Sequence, residues 1–325
     1  MGADGAMAAA GGTAEAGRGR APSPPWTPYW RRYLRHVLAR FDPVRNGRLA
    51  GGGLFEISQL LTHPRPQNEA IIRSLCRNAF LGNATSLCTV LGRYKMFVDS
   101  EDAGLSAHLL MDGYWEMWAT EVMARFIRPG MVVADVGANL GYFTLLMGEL
   151  VGVTGWVHAF EPNPAMAALL RRSVNMNVGQ RRTTVHEVGL SDQEGEAILS
   201  VPPGEPKNAS FAARHPGGAE IAVPLRRMDA FAELEKVDFI KIDVEGVEEA
   251  TWRGMEGLLK QGRPLTILLE FAAVRYQDAA GFIDLILSHG FSLSLLTHDH
   301  RLTPLDKPGV LALAGDQDQM LLLQR

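Results

Sequence analysis

Two cysteines, Cys76 and Cys88, are all that 325 residues contain. Neither sits in a CxxC or Cys/His pattern, which excludes a zinc module or a disulfide scaffold and suits reduced thiols in a cytoplasmic protein. No apolar run reaches the roughly 18 residues that a bilayer span needs. The N-terminus lacks the basic region and apolar core of a secretion signal. Met1-Gly2 opens like a myristoylation signal, but Ala6 stands where Ser or Thr is required. Positive charge is also short: 32 Lys and Arg against 36 Asp and Glu leave a net charge of −4. That argues against a general nucleic-acid binder, which carries a clustered basic excess. The expectation is a cytoplasmic protein with no membrane span and no nucleic-acid partner, its oligomeric state open.

Hydrophobic residues make up 46% of the chain, enough to bury a sizeable core. Residues 1–25 are rich in Ala and Gly, end in Ala21-Pro-Ser-Pro-Pro25, and read as a disordered tail. Residues 26–112 read as a helical module with a short β-hairpin. Trp30, Leu34, Val37 and Leu38, then Leu54, Ile57, Leu60 and Leu61, then Ile71, Ile72, Leu75 and Phe80 recur at helical spacing. Tyr94, Met96 and Val98 alternate in a segment, 88–111, that looks extended. From 113 to 325 short apolar runs alternate with helical patterns. Strands are expected at Met131–Val136, Trp156–Phe160, Thr183–Val188, Phe239–Ile242 and Thr266–Leu269. Helices are expected at Trp115–Ile127 and at 142–150, 164–176, 247–260 and 279–289. Such alternation implies an α/β fold with a doubly wound, mostly parallel sheet and helices on both faces. Phe291–Leu296 and Gln319–Gln324 suit an antiparallel pair closing one edge.

The first strand runs into Asp135-Val-Gly137-Ala-Asn139-Leu-Gly141 and then into a helix. Gly137 and Gly141 let backbone pass close to a ligand, and the helix N-terminus offers N–H groups to an anion. Glu161 ends the next strand, where an acid accepts hydrogen bonds from both ribose hydroxyls of an adenosine cofactor; the plainer possibility is an acid facing water. The loop decides between cofactors. A dinucleotide fingerprint places glycine where Asn139 stands, and Asp135 would repel a diphosphate while suiting the amino group of a methionine moiety. S-adenosylmethionine (SAM) is therefore expected and NAD disfavoured.

From Gly113 to Phe271 the chain resembles the FkbM family of SAM-dependent methyltransferases. The matching pieces are Gly113-Tyr-Trp-Glu116, the Asp135–Gly141 loop, Ala159-Phe-Glu161-Pro-Asn163, Gly189-Leu-Ser-Asp192 and Ile240-Lys-Ile-Asp243-Val-Glu-Gly246. Gly254 and Leu269-Glu-Phe271 extend the match. The resemblance implies a class I, Rossmann-like methyltransferase sheet of seven strands, and methylation of a hydroxyl on a small molecule or glycan. It also implies further cofactor contacts: Asp192 beside the adenine amino group, Leu190 near the ring, Asn163 on the ribose side and Glu116 over the methionine end. A surface turn for Asp192 and a solvent-facing position for Glu116 are the bland alternatives.

Lys241, Asp243 and Glu245 share one face of an extended segment, and three charges beside an apolar strand are costly unless they pair or line a cleft. Open α/β sheets place ligands at the carboxyl ends of their strands, where Asp243 and Glu245 fall. Asp243 is the first candidate for orienting the acceptor or taking its proton, and Glu245 the second. Lys241 tunes them, pairs with Asp135 or serves an ion-pair network. Glu270, ending the fifth strand, and Asn208 and Ser210, in the segment 202–218, are candidates for the acceptor pocket, with a plain surface loop as the alternative for the last two. Asp243 and Glu245 could hold a divalent cation, but no spacing requires a metal and none is expected. His298-Asp-His300 has no third ligand nearby and reads as a solvated loop. Two further readings stay open: a methyltransferase for a protein or RNA acceptor, and a non-catalytic SAM-binding interaction module.

Overall fold

The computed structural model describes residues 54–177, 182–313, 315 and 317–325. The tail 1–25 and the run from Trp30 to Leu38 lie outside them.

A three-stranded antiparallel sheet comes first: β1 (Asn78–Gly82), β2 (Thr85–Val90) and β3 (Tyr94–Asp99). The alternation at Tyr94, Met96 and Val98 places these side chains inward, as a half-buried strand requires. Phe80 lies in β1 and is exposed, so the helical period that seemed to include it stops at the helix Arg65–Leu75. Leu105–Met111, expected to be extended, is a helix.

The main sheet contains β4 (Val132–Val136), β5 (Trp156–Phe160), β6 (Thr183–His186), β10 (Phe239–Ile242), β11 (Thr266–Phe271), β12 (Ser292–Leu296), β13 (Leu302–Leu305) and β14 (Gln319–Gln324). Their spatial order is β13-β12-β14-β11-β10-β4-β5-β6. The five from β11 to β6 are parallel, and β14 runs antiparallel between β11 and β12. This is the expected α/β fold with a mostly parallel sheet, with eight strands where seven were expected. The addition is β13, whose Pro304 hid it; an edge strand tolerates proline because its outer side needs no N–H. The remaining strands, β7 (Gly189–Leu190), β8 (Gly195–Val201) and β9 (Ala219–Arg226), form a small separate sheet. The β8–β9 hairpin occupies sequence that carried no strand expectation.

Neighbouring residues of each central strand bury into different cores. Val133, Phe239 and Leu268 join a cluster with the helices Met117–Phe126 and Tyr142–Val151. Ala134, Ile240 and Ile267 join another with Trp252, Phe282 and Ile286. Helices therefore cover both faces. The first cluster also takes in Phe55, Ile72 and Met96, so residues before and after Gly113 share one core. The expected helix 247–260 is two pieces, Glu248–Arg253 and Glu256–Lys260. A Cβ at Gly254 between them would stand 2.1 Å from the Ser191 carbonyl oxygen, so the break lets two backbones meet. Among the described residues, no helix is long and apolar enough to cross a membrane.

Candidate active site

The cofactor loop leaves β4 at Val136. Gly137 has φ +79°, and a Cβ there would stand 1.8 Å from the carbonyl oxygen of Asp243. Only glycine lets the ends of β4 and β10 approach so closely. Its N–H and that of Ala138 donate to the Phe160 carbonyl at 3.1 and 3.0 Å, fixing the loop to the end of β5. Asn139 follows in left-handed conformation, φ +50°, and its Oδ1 accepts the N–H of Leu140 at 2.7 Å. Gly141, φ +93°, starts the helix Tyr142–Val151 and lies against Leu170, away from the cavity lining.

Glu161 is the hub of this end. Its Oε2 accepts the Asn139 N–H at 2.7 Å, and its Oε1 accepts the Asn163 N–H at 2.8 Å. Burial pushes its pKa up to about 7 against the pull of those two bonds. The side chain of Asn163 is turned elsewhere: its Oδ1 caps the helix Pro164–Met176 by accepting the Ala165 N–H.

These elements border a cavity of about 770 Å³ at the carboxyl ends of β4, β5, β10 and β11. Gly137, Asn139, Glu161 and Leu190 line it, as do Glu116, Asn208, Ser210, Asp243, Glu245 and Glu270. Asp192 does not. It borders a smaller cavity with Arg227, Trp252 and His289. Leu190, Val188 and Phe160 are apolar residues of the lining.

Beneath the cavity, Asp135 is fully buried, with Thr144 donating to Oδ2 at 2.5 Å and no partner for Oδ1. Burial raises its pKa. Lys241 pairs with it in register across β4 and β10, and its Nζ donates to Asp243 Oδ2 at 2.9 Å. Burial works to lower the Lys241 pKa, but Asp243 and Asp135 outweigh it and hold the ammonium charged.

The far wall was less legible. Arg275 had been given no role, yet it joins three elements: Nη1 donates to Glu270 at 2.7 Å, and Nη2 lies 3.0 Å from Glu245 and 2.8 Å from Asp318. Burial and the neighbouring Asp243 push Glu245 up to about 7, and they raise Glu270 as well. Ser210 donates to the Glu245 carbonyl at 2.7 Å, tying the β8–β9 connection to the end of β10. Asn208 donates to Glu205 at 2.8 Å. Glu116 sits in left-handed conformation at the start of the helix Met117–Phe126, its Oε2 buried and without a hydrogen-bond partner. Burial, and then Asp243, push its pKa up to about 7. Glu116, Asn139 and Glu245 are three of the seven non-glycine residues with positive φ among those described, so backbone strain concentrates on this cavity. The loop His298-Asp-His300 is held by side chains: the ring of His298 stacks on Trp118, and His300 Nδ1 lies 2.9 Å from Glu121.

The lining fits SAM. Glu161 is oriented by two backbone donors and keeps lone pairs for a diol; the carboxylate-rich wall suits a sulfonium; and unpartnered Asp135 Oδ1 lies below the loop. Residues 135–293 match the family described as the methyltransferase FkbM domain. The 31-O-demethyl-FK506 methyltransferase FkbM of Streptomyces tacrolimicus is 33% identical over 171 residues, 39% of this chain and 63% of that protein. Methyltransferase 1 of Beauveria bassiana is 27% identical over 38% of this chain and 58% of its own length. The chain thus spans less than two thirds of these curated relatives. Among solved structures, a methyltransferase FkbM from Methylobacillus flagellatus shares 19% identity over 61% of this chain and 44% of that one, with a TM-score of 0.36. Over residues 135–293 the chain is thus similar to the methyltransferase FkbM domain.

Proposed function

We propose that this chain transfers a methyl group from SAM to a hydroxyl oxygen of a small molecule or glycan. The observation that carries the reading is the position of Asp243, which lines the same cavity as Glu161 and the Asp135–Gly141 loop and is held by the buried ammonium of Lys241. When bound, SAM supplies a methyl group on a positively charged sulfur. Everything else falls to the chain. Glu161 and Asn139 fix the ribose end, Leu190 borders the ring, and Asp135 receives the amino group of the methionine end.

Asp243 accepts the hydrogen bond of the acceptor hydroxyl through its free oxygen and takes the proton that the hydroxyl loses. Lys241, bound to the other oxygen, keeps that carboxylate oriented. Glu245 and Glu270, fixed by Arg275, and Ser210 and Asn208, on the β8–β9 connection, form the acceptor wall. Alignment of oxygen and methyl carbon inside the cavity is the main contribution to rate. A cavity of about 770 Å³ has the size of small-molecule sites, which favours a small acceptor over a folded protein or RNA.

Calorimetry with SAM, S-adenosylhomocysteine (SAH) and NAD tests the cofactor; binding of NAD alone would end the proposal. Asp243→Asn is expected to keep SAH affinity within about threefold and to lose turnover by about 10²–10⁴-fold, the range for a general base. Turnover that survives the change removes Asp243 from the role of base.

A further inference from the structure

The acceptor half of the cavity is rich in carboxyl groups. Its wall carries the carboxyl groups of Glu116, Asp243, Glu245, Glu270 and Asp318. The cations facing them are Lys207, Lys241 and Arg275. Lys241 is committed to Asp243, and Arg275 to Glu245, Glu270 and Asp318. Among the described residues Glu116 makes no ion pair. Its Oε2 is closed to solvent and accepts no hydrogen bond; Asp243 and Asp318 repel its charge, while Lys241 and Lys207 attract it. A buried carboxylate oxygen in that position lacks a donor, and a positively charged donor suits it best.

The adjacent side chain points the same way. Trp115 lines the cavity and already draws Lys207 Nζ to 5.7 Å from its ring centre. Phe143, also on the wall, does the same for Lys241 at 5.2 Å. An aromatic face beside a carboxylate is a general arrangement for holding an organic ammonium. A metal ion fits less well. Oxygens of Asp243, Glu245 and Glu270 lie within 4.8 Å of one another, but Arg275 occupies two of those carboxylates, and a hard cation needs bare oxygens.

We propose that the acceptor enters this cavity as a cation, a hydroxyl compound carrying a protonated amine, and that Glu116 with the face of Trp115 seats that amine. The inference rests on reading the cavity as a methyltransferase site, and it turns Glu116 from the cofactor end to the acceptor end. SAM brings positive charge of its own, but a sulfonium offers no N–H to the unpartnered Oε2 of Glu116. Anionic acceptors such as sugar acids and phosphate esters would meet a wall rich in carboxyl groups.

Three matched probes test this: trans-2-aminocyclohexanol, cyclohexane-1,2-diol and 2-hydroxycyclohexanecarboxylate, each titrated calorimetrically at low salt into the full chain with and without SAH. The amine is expected to bind at least tenfold more tightly than the diol, and the carboxylate more weakly than either. Glu116→Gln is expected to bring the amine down to the level of the diol while SAH affinity, which also reports folding, stays within about twofold. Equal binding of amine and diol, preference for the carboxylate, or no binding of the amine would overturn the inference. So would a parallel loss of SAH affinity in Glu116→Gln, which returns Glu116 to the cofactor end, or displacement of the amine by equimolar Mg²⁺. Failure of SAH to bind while the amine still does removes the cofactor reading and leaves the cationic site standing.

Discussion

The Oε2 atom of Glu161 accepts the main-chain N–H of Asn139 at 2.7 Å, across 22 positions of sequence. The end of β5 thereby holds the turn after β4, and the acid that would meet a ribose is also the one that shapes the glycine loop. Glu161→Gln places an amide NH₂ opposite one of two N–H donors. Losing a hydrogen bond to a charged group costs about 1.5–3 kcal/mol. SAH affinity is expected to fall about 10- to 100-fold, read by calorimetry; unchanged affinity would show that the carboxylate does not touch the ligand.

Gly137→Ala is expected to be among the most damaging small changes in the domain. The new Cβ would stand 1.8 Å from a backbone oxygen, and φ +79° is strained for any side chain. Strain and overpacking together cost about 2–5 kcal/mol. Urea denaturation measures it. Gly262→Ala, also at positive φ but with open space around it, gives the strain without the clash and should cost less.

The pH dependence of stability should carry the mark of Glu116. Its folded pKa, pushed up to about 7, exceeds its ordinary value of 4.5, so the folded chain holds a proton that the unfolded chain has lost. Its contribution is present below about 4.5 and is lost as pH rises through 7. Relative to Glu116→Gln, the wild type should therefore lose melting temperature steadily between pH 5 and pH 8. A difference independent of pH would mean that Glu116 is ionised throughout.

Arg275→Ala removes the cation shared by Glu245, Glu270 and Asp318. Breaking a buried ion pair costs up to about 3–5 kcal/mol, and partial exposure of the guanidinium brings the expectation down to about 2–4. The orphaned carboxyl groups should take up protons, so the loss should be smaller at pH 5.5 than at pH 8. Chemical denaturation at the two values checks this, and Arg275→Lys should recover part of it.

The cofactor end was readable because its requirements are local. A strand, a turn needing positive φ at Gly137 and Gly141, and an acid closing the next strand all leave marks at fixed spacing. β5, β10, β14 and the helix Pro164–Met176 were legible to the residue, since each is a clean apolar run or has a clear cap. The acceptor wall was not. Arg275 acts by reaching Glu245, Glu270 and Asp318, which lie 30, 5 and 43 positions away, and no spacing encodes that. The β8–β9 hairpin escaped because its strands are largely exposed and carry little apolar alternation. Asn163 shows a further limit. The motif placed it correctly beside Glu161, yet its backbone, not its side chain, makes the contact.

The position of β14 bears on how the chain reaches this structure. Among the described residues, β12 bonds to the rest of the main sheet only through β14, and β13 only through β12. Residues 292–305 therefore have no place in the sheet until 319–324 have inserted beside β11. Closing this edge is a non-local event, and until it happens one side of β11 stands as an open edge available to any extended chain. A chain is exposed to aggregation while such an edge is open, and substitutions that weaken β14 should lower soluble yield more than they lower the stability of the protein that does fold.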